Sequence, residues 1–150
     1  MNMRLLRATL LTIPLAVASC TGTSATPTLA PSGPASPASV GVTKSSEGGQ
    51  VTVEATWRGP AAGATLDIKL DTHPVDLDAL SFSDAVLRND RGETLTARPW
   101  AAAKGGHHRE GALTFEGDTS GFLAGARWIE LNLVGVGTVP ERTFRWPIVP

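Results

Sequence analysis

The histidines are the side chains of this chain that are best suited to chemistry, and they fall into two short segments. His73 lies in DTHPVDLD, while His107 and His108 lie in KGGHHREG. Imidazole nitrogens are good ligands for zinc and copper(II), and three of them brought together from two loops would form such a site. The spacing therefore makes these residues candidate metal ligands, provided that the fold brings the two segments together.

Acidic side chains in the same segments add to this pattern. Asp71, Asp76 and Glu110 could complete a metal shell or orient the imidazole rings. On a regular strand, adjacent histidine side chains point to opposite faces, but Gly105 and Gly106 would let the backbone place both on one side. A structural role, in which the histidines hydrogen-bond the loops together, fits the same residues. Both interpretations predict that the two segments meet.

The single cysteine, Cys20, ends a stretch with the features of a secretion signal. Arg4 and Arg7 give a positive start, and the apolar run Ala8–Val17 is too short to span a bilayer. The residues Val17–Cys20, VASC, resemble the lipobox of bacterial lipoproteins, in which small residues precede an obligatory cysteine.

This resemblance implies that residues 1–19 are a lipoprotein signal peptide and that Cys20 receives a diacylglycerol and becomes the mature N-terminus. One acyl chain holds a protein to a bilayer marginally, and two or three hold it stably. We therefore expect an extracytoplasmic protein, anchored through its lipid to the cell membrane or the outer membrane. Thr21 rather than Asp follows the cysteine, and resemblance to known sorting signals then favours the outer membrane where the envelope has one.

Two regions follow the signal peptide. Thr21–Val40 contains four prolines and eight serines or threonines and has no charged residue. Such a segment has too few apolar side chains to offset the entropy of ordering, so we interpret residues 20–48 as a flexible tether. Residues 49–150 are then the single folded domain.

This domain shows the period-two alternation of half-buried strands. Val51, Val53, Ala55 and Trp57, for example, alternate with polar residues. Predicted strands lie at 51–57, 66–70, 85–89, 93–97, 112–116, 128–134 and 142–148. Residues 76–83 are ambiguous between a loop and a helical turn, and residues 117–126 are predicted to be a loop. About seven short strands with glycine and proline turns favour an all-β fold, an immunoglobulin-like β-sandwich.

The segments DTHPVDLD and GGHHREGALTF, with a tryptophan between them, are similar to a pattern in uncharacterised secreted and membrane-associated prokaryotic domains of immunoglobulin-like type. The similarity spans roughly Leu66 to Trp146. It implies a domain of that kind and draws attention to the histidine segments, but it implies no activity.

The net charge and the absence of common catalytic and nucleotide-binding motifs in the sequence reduce the number of functions that fit. Thirteen basic against 14 acidic residues give a net charge of −1 and argue against nucleic-acid binding. The sequence has no G-x-S-x-G elbow, P-loop or dinucleotide-binding motif. We expect a non-catalytic binding module of the cell envelope, whose partner is an envelope protein, a metal ion or a surface polymer. The alternative is a histidine-based zinc or copper(II) binding protein or small metalloenzyme.

Overall fold

The computed structural model describes residues 41–149, so the predicted signal peptide, Cys20 and the tether up to residue 40 lie outside the described part. Within it lie a short helix α1 (Thr119–Leu123) and a 3-10 turn (Pro60–Ala62). The strands are β1 (Val42–Gly48), β2 (Val51–Trp57), β3 (Thr65–Thr72), β4 (Val86–Asn89), β5 (Thr94–Thr96), β6 (His108–Thr114), β7 (Trp128–Val136) and β8 (Val139–Pro147). Neither helical segment of the described chain has the length and apolar character needed to cross a membrane.

The strands form two antiparallel sheets, with strand orders β1-β2-β3-β6 and β5-β4-β7-β8. The all-β prediction of a β-sandwich is thereby confirmed. In an immunoglobulin constant domain, the first, second and fifth strands share one sheet, and the third, sixth and seventh share the other. Strands β2 to β8 follow this rule, except that the fourth of them, β5, pairs with β4 and not with β6. Strand β1 is an addition in front of them.

Alternation along the strands builds the core between the sheets. Inward positions of β2 and β7 are almost completely buried, as the pattern predicts. Burying each large apolar side chain stabilises the fold by roughly 1.5–3 kcal/mol. The largest apolar side chains that expose less than 2% of their surface are Trp146, Leu66, Ile68, Leu70, Leu77, Leu87, Leu113, Ile129, Leu131 and Leu133.

The predicted boundary between tether and domain was wrong, because Val42–Gly48 forms β1 and pairs along its whole length with β2. None of its side chains is buried, so its sequence carries no apolar alternation. Side chains of β8 hold it instead. Arg142 donates to the carbonyl oxygens of Ser46 and Gly48, and Trp146 Nε1 donates to that of Val42 at 2.7 Å.

Further boundaries differ from the sequence prediction; β8, for example, begins at Val139 and not at residue 142. Strand β6 begins at His108 and not at residue 112. The sequence prediction missed this beginning because the inward residue there is Arg109, which interrupts the apolar alternation. Helix α1 lies inside the predicted loop 117–126, where Asp118 caps it by accepting a hydrogen bond from the Gly121 N–H at 3.0 Å. The ambiguous segment 76–83 contains turns rather than a helix.

Candidate functional site

One end of the sandwich gathers both histidine segments. Asp71 at the end of β3 faces His108 at the start of β6, and the N–H of Thr72 donates to the carbonyl of His107 at 2.9 Å. Thr72 Oγ1 also donates to the Gln50 carbonyl in the β1–β2 turn, at 2.6 Å. We call this end the loop pole: residues 73–85 and 98–107 together with the β1–β2 and β7–β8 turns. The prediction that the two segments meet is confirmed.

A buried arginine organises the loops at this pole. Arg109 is 2% exposed, and its guanidinium lies 4.6 Å from the ring centre of Trp100. It donates to the carbonyl oxygens of Leu77 and Leu80 in one loop and of Ala102 and Ala103 in the other. Neither loop has a strand ladder here, so these hydrogen bonds replace the ones that a sheet would supply.

The adjacent histidines separate into two different pairs. His107 is the last loop residue, and its ring lies nearly parallel to that of His73, with ring centroids 6.2 Å apart and an interplanar angle of 15°. His108 is the first residue of β6, on the outer face of the sheet, where its Nδ1 contacts the Asp71 carboxylate. All three rings are exposed.

The second pair belongs to a charged row on the outer face of the first sheet. Asp71 contacts His108 and also Lys69 Nζ, the latter at 3.1 Å. Hydrogen bonds from His108 and then Lys69 lower the pKa of Asp71, although partial burial acts in the opposite direction. The same carboxylate raises the pKa of Lys69. Glu110 is exposed, opposite Lys69 on β6.

The remaining predicted acidic residue has a local role. Asp76 is exposed, and its Oδ1 accepts a hydrogen bond from the Asp78 N–H at 2.8 Å, which shapes the turn after β3. Asp78 in turn accepts from the Gly105 N–H at 2.7 Å and so links the two histidine loops. Gly105 and Gly106 have φ angles of 95° and 90°, which a side chain would oppose, and they lead the chain into His107.

The six predicted ligands therefore do not form one shell. In the part of the chain that the structure describes, no three or more histidine, cysteine, aspartate or glutamate side chains are grouped to hold a metal ion. His73 lies beside His107, and Asp71 beside His108. Asp76 accepts a hydrogen bond within its own turn, and Glu110 lies opposite Lys69 on β6. Lipidation of Cys20 falls on a residue outside the described range.

Arg109 is the important residue of this pole that sequence reasoning missed. The signal was present, because Arg109 is in phase with Gly111 and the buried Leu113 on β6. An arginine at an inward position beside two loops indicates a buried guanidinium that binds main-chain carbonyls.

A second polar cluster lies near the opposite end, on the outer face of the second sheet. Glu130 is 9% exposed and accepts hydrogen bonds from Arg88 at 2.5 Å and from Arg145 at 2.6 and 2.8 Å. Burial raises the pKa of Glu130, but the two guanidiniums outweigh it, so the net shift is downward. Arg145 also stacks over Trp128, 4.2 Å from its ring centre. This cluster fastens β4, β7 and β8 together.

Comparisons of the chain with protein families, with curated proteins and with solved structures gave no match. What the protein does is therefore inferred from its own residues and their geometry.

Proposed function

We propose that this protein is an extracytoplasmic lipoprotein, anchored to a membrane through lipid on Cys20, whose β-sandwich is a non-catalytic binding module for another envelope component. The observation that carries the proposal is the VASC segment at Val17–Cys20, which follows a short apolar run and contains the only cysteine of the chain. A single cysteine has no intrachain disulfide partner, which leaves its thiol free for lipid attachment.

The direction of β1 adds a geometric argument. Val42, where the described chain enters the domain, pairs with Trp57, and Trp57 pairs with Leu66 at the beginning of β3. The loop pole lies at the other end of β3, about 20 Å away at 3.3 Å per residue. A domain tethered through Val42 therefore enters from the end opposite the loop pole. The loop pole is then the end of the domain farthest from Val42.

The loop pole has the construction expected of a binding surface. Exposed side chains of the loops include His73, Lys104 and His107. The loops themselves are held by hydrogen bonds to the buried residues Arg109 and Thr72. Such loops lose little conformational entropy when a partner binds, which favours affinity. Binding residues are commonly found on loops that a rigid scaffold positions.

Membrane partition tests the anchor. The full chain, expressed in a bacterium, should sediment with membranes, be released by detergent, and carry acyl chains on Cys20 by mass spectrometry. Cys20→Ala should move to the soluble fraction because its lipid attachment is lost. Ser24→Ala, a change in the same segment that leaves the cysteine, should behave like the natural chain. A Cys20→Ala protein that is still acylated and still bound to the membrane would contradict the proposal.

Photocrosslinking in living cells tests the binding surface. A photoreactive residue at Lys104, on the loop pole, should give one adduct of defined mass, whereas the same residue at Arg58, at the entry end, should not. Arg58 is a matched position because it is also exposed and follows a strand end. Equal adducts from both positions, or none from Lys104, would contradict a binding role for the loop pole.

A further inference from the structure

We propose that His73 and His107 form a two-histidine site for zinc or copper(II) at the loop pole, and that His108 has no part in it. The proposal rests on the proposed function only in taking the loop pole as the binding surface, and it names a ligand for that surface. It also differs from the six-residue shell that the sequence indicated, because the structure separates those residues.

The ring separation is close to that of two rings sharing one ion. A metal–nitrogen bond of about 2.0–2.1 Å places a metal roughly 3.2 Å from the ring centre, so two rings that share a tetrahedral ion have centres roughly 5.2 Å apart. The His73 and His107 centroids are 6.2 Å apart, and the rings are nearly parallel. Both side chains are exposed, so rotation about their torsions can bring the centres closer by the remaining distance, about 1 Å, and aim a nitrogen of each ring at the ion.

Hydrogen bonds hold the backbone of the two loops together close to the two histidines. The Thr72 N–H donates to the His107 carbonyl, so the residue before His73 is bonded to His107 itself. The Asp78 carboxylate accepts from Gly105 two residues before His107. Two hydrogen bonds therefore join the loops close to the rings, and little ordering remains to be done when an ion binds.

His108 provides an internal contrast. It follows His107 directly, but strand geometry turns its ring to the outer face of the sheet, where it contacts Asp71. A site built on imidazole content alone would use both residues of the pair. The proposed site uses His107 and leaves His108 with its carboxylate.

Two imidazoles leave coordination positions open. No third histidine, cysteine or carboxylate joins them among residues 41–149, so water or a donor from the bound partner completes the shell. Imidazole ligands favour zinc and copper(II) over magnesium, and copper(II) binds more tightly than zinc in most such sites.

Zinc titration of the full chain carrying Cys20→Ala, purified without a histidine tag, tests this site. Removing the thiol removes a competing ligand and makes the result independent of lipidation. With carbon-13-labelled histidine, the three ring signals should respond differently: those of His73 and His107 shift on addition of zinc chloride, while that of His108 does not. Calorimetry should give one zinc ion per chain.

Single substitutions then locate the donors. His73→Ala and His107→Ala should each weaken zinc binding by at least about tenfold. Loss of a residue that only hydrogen-bonds to a metal ligand already costs about that much affinity, and loss of the ligand itself should cost no less. His108→Ala should change the affinity less than about twofold, and magnesium chloride should shift none of the three signals. No zinc binding at millimolar concentration, or an equal dependence on His108, would overturn the proposal.

Discussion

Two buried arginines, one at the loop pole and one at the sheet edge, perform the same chemistry with different results. Arg109 and Arg142 are each 2% exposed, and within residues 41–149 neither donates to a carboxylate. Each satisfies its guanidinium with backbone carbonyls. Those of Arg109 belong to two loops, whereas those of Arg142 belong to the β1–β2 hairpin.

The difference lies in what would support those carbonyls if the arginine were absent. Without Arg142, the β1–β2 hairpin keeps all its strand-to-strand hydrogen bonds. The two loops that Arg109 contacts have few backbone hydrogen bonds of their own. Arg142 is also less completely satisfied. Its Nε has no hydrogen-bond partner among residues 41–149, and burial lowers the pKa of the guanidinium. We therefore expect Arg109, whose carbonyl partners lie in loops, to contribute more to stability than Arg142, whose partners belong to a paired hairpin.

The first prediction concerns Arg109→Met, which should have the largest effect. The carbonyls of Leu80 and Ala102 would lose their donor while still partly buried, and that of Leu77 would keep only the Leu80 N–H. Each lost donor costs about 1–3 kcal/mol. We expect the free energy of unfolding, measured in urea, to fall by about 3 kcal/mol or more. Arg109→Lys should recover only part of this, because an ammonium group cannot reproduce the planar fork.

Amide hydrogen exchange locates the effect, and Glu110→Gln is the control. Exchange at Trp100 and Gly105, whose N–H groups bond across the two loops, should accelerate more in Arg109→Met than exchange in the middle of β7. Glu110 is adjacent on the same strand but exposed, so its variant should unfold like the natural chain. Uniform acceleration throughout the domain would show that Arg109 supports the core generally and not the loops.

The second prediction is a smaller, local effect for Arg142→Met. The carbonyls of Ser46 and Gly48 lie at the edge, where water can replace the guanidinium, and the desolvation cost of the buried charge disappears. We expect a loss of about 1–2 kcal/mol and faster amide exchange confined to β1. Lys44→Met, an exposed change on the same strand, should do neither. A loss as large as that of Arg109→Met would remove the distinction between the two sites.

The same contrast explains how much of the fold the sequence could reveal. Strands whose inward positions are apolar, such as β2 and β7, were predicted within one or two residues. Their alternation of buried and exposed side chains appears in the sequence as an alternation of apolar and polar residues. Strand β1 was missed because it buries no side chain, and the start of β6 because its inward residue is Arg109. Regular structure held by main-chain bonds or by a buried charge leaves no apolar pattern to read.

The candidate site was predictable in its place but not in its pairing. The position of the histidines at two strand ends was enough to bring the segments together. Which histidine meets which partner depended on a boundary: because β6 begins at His108, that ring points to the outer face and His107 stays in the loop. A strand beginning at residue 112, as predicted, would have left both rings in one loop.

The third prediction, the smallest effect, concerns Asp71 and its dependence on pH. The His108 contact, followed by Lys69, lowers the pKa of Asp71 in the folded chain below the value of about 3.9 expected when unfolded. A carboxylate shifted in this direction stabilises the fold above that unfolded pKa, and the stabilisation is lost as the pH falls through the folded pKa. His108 is 72% exposed, so solvent screens the pair, and the gain is about 0.5 kcal/mol or less. In urea unfolding, the free energies of Asp71→Asn and the natural chain should therefore converge as the pH falls below about 3.9, whereas at pH 7 the variant should be slightly less stable. Asp76→Asn keeps the oxygen acceptor of its turn, so its difference from the natural chain in free energy of unfolding should not change with pH. A pH-dependent difference as large as that of Asp71→Asn would mean that the effect comes from general surface charge and not from the contact between Asp71 and His108.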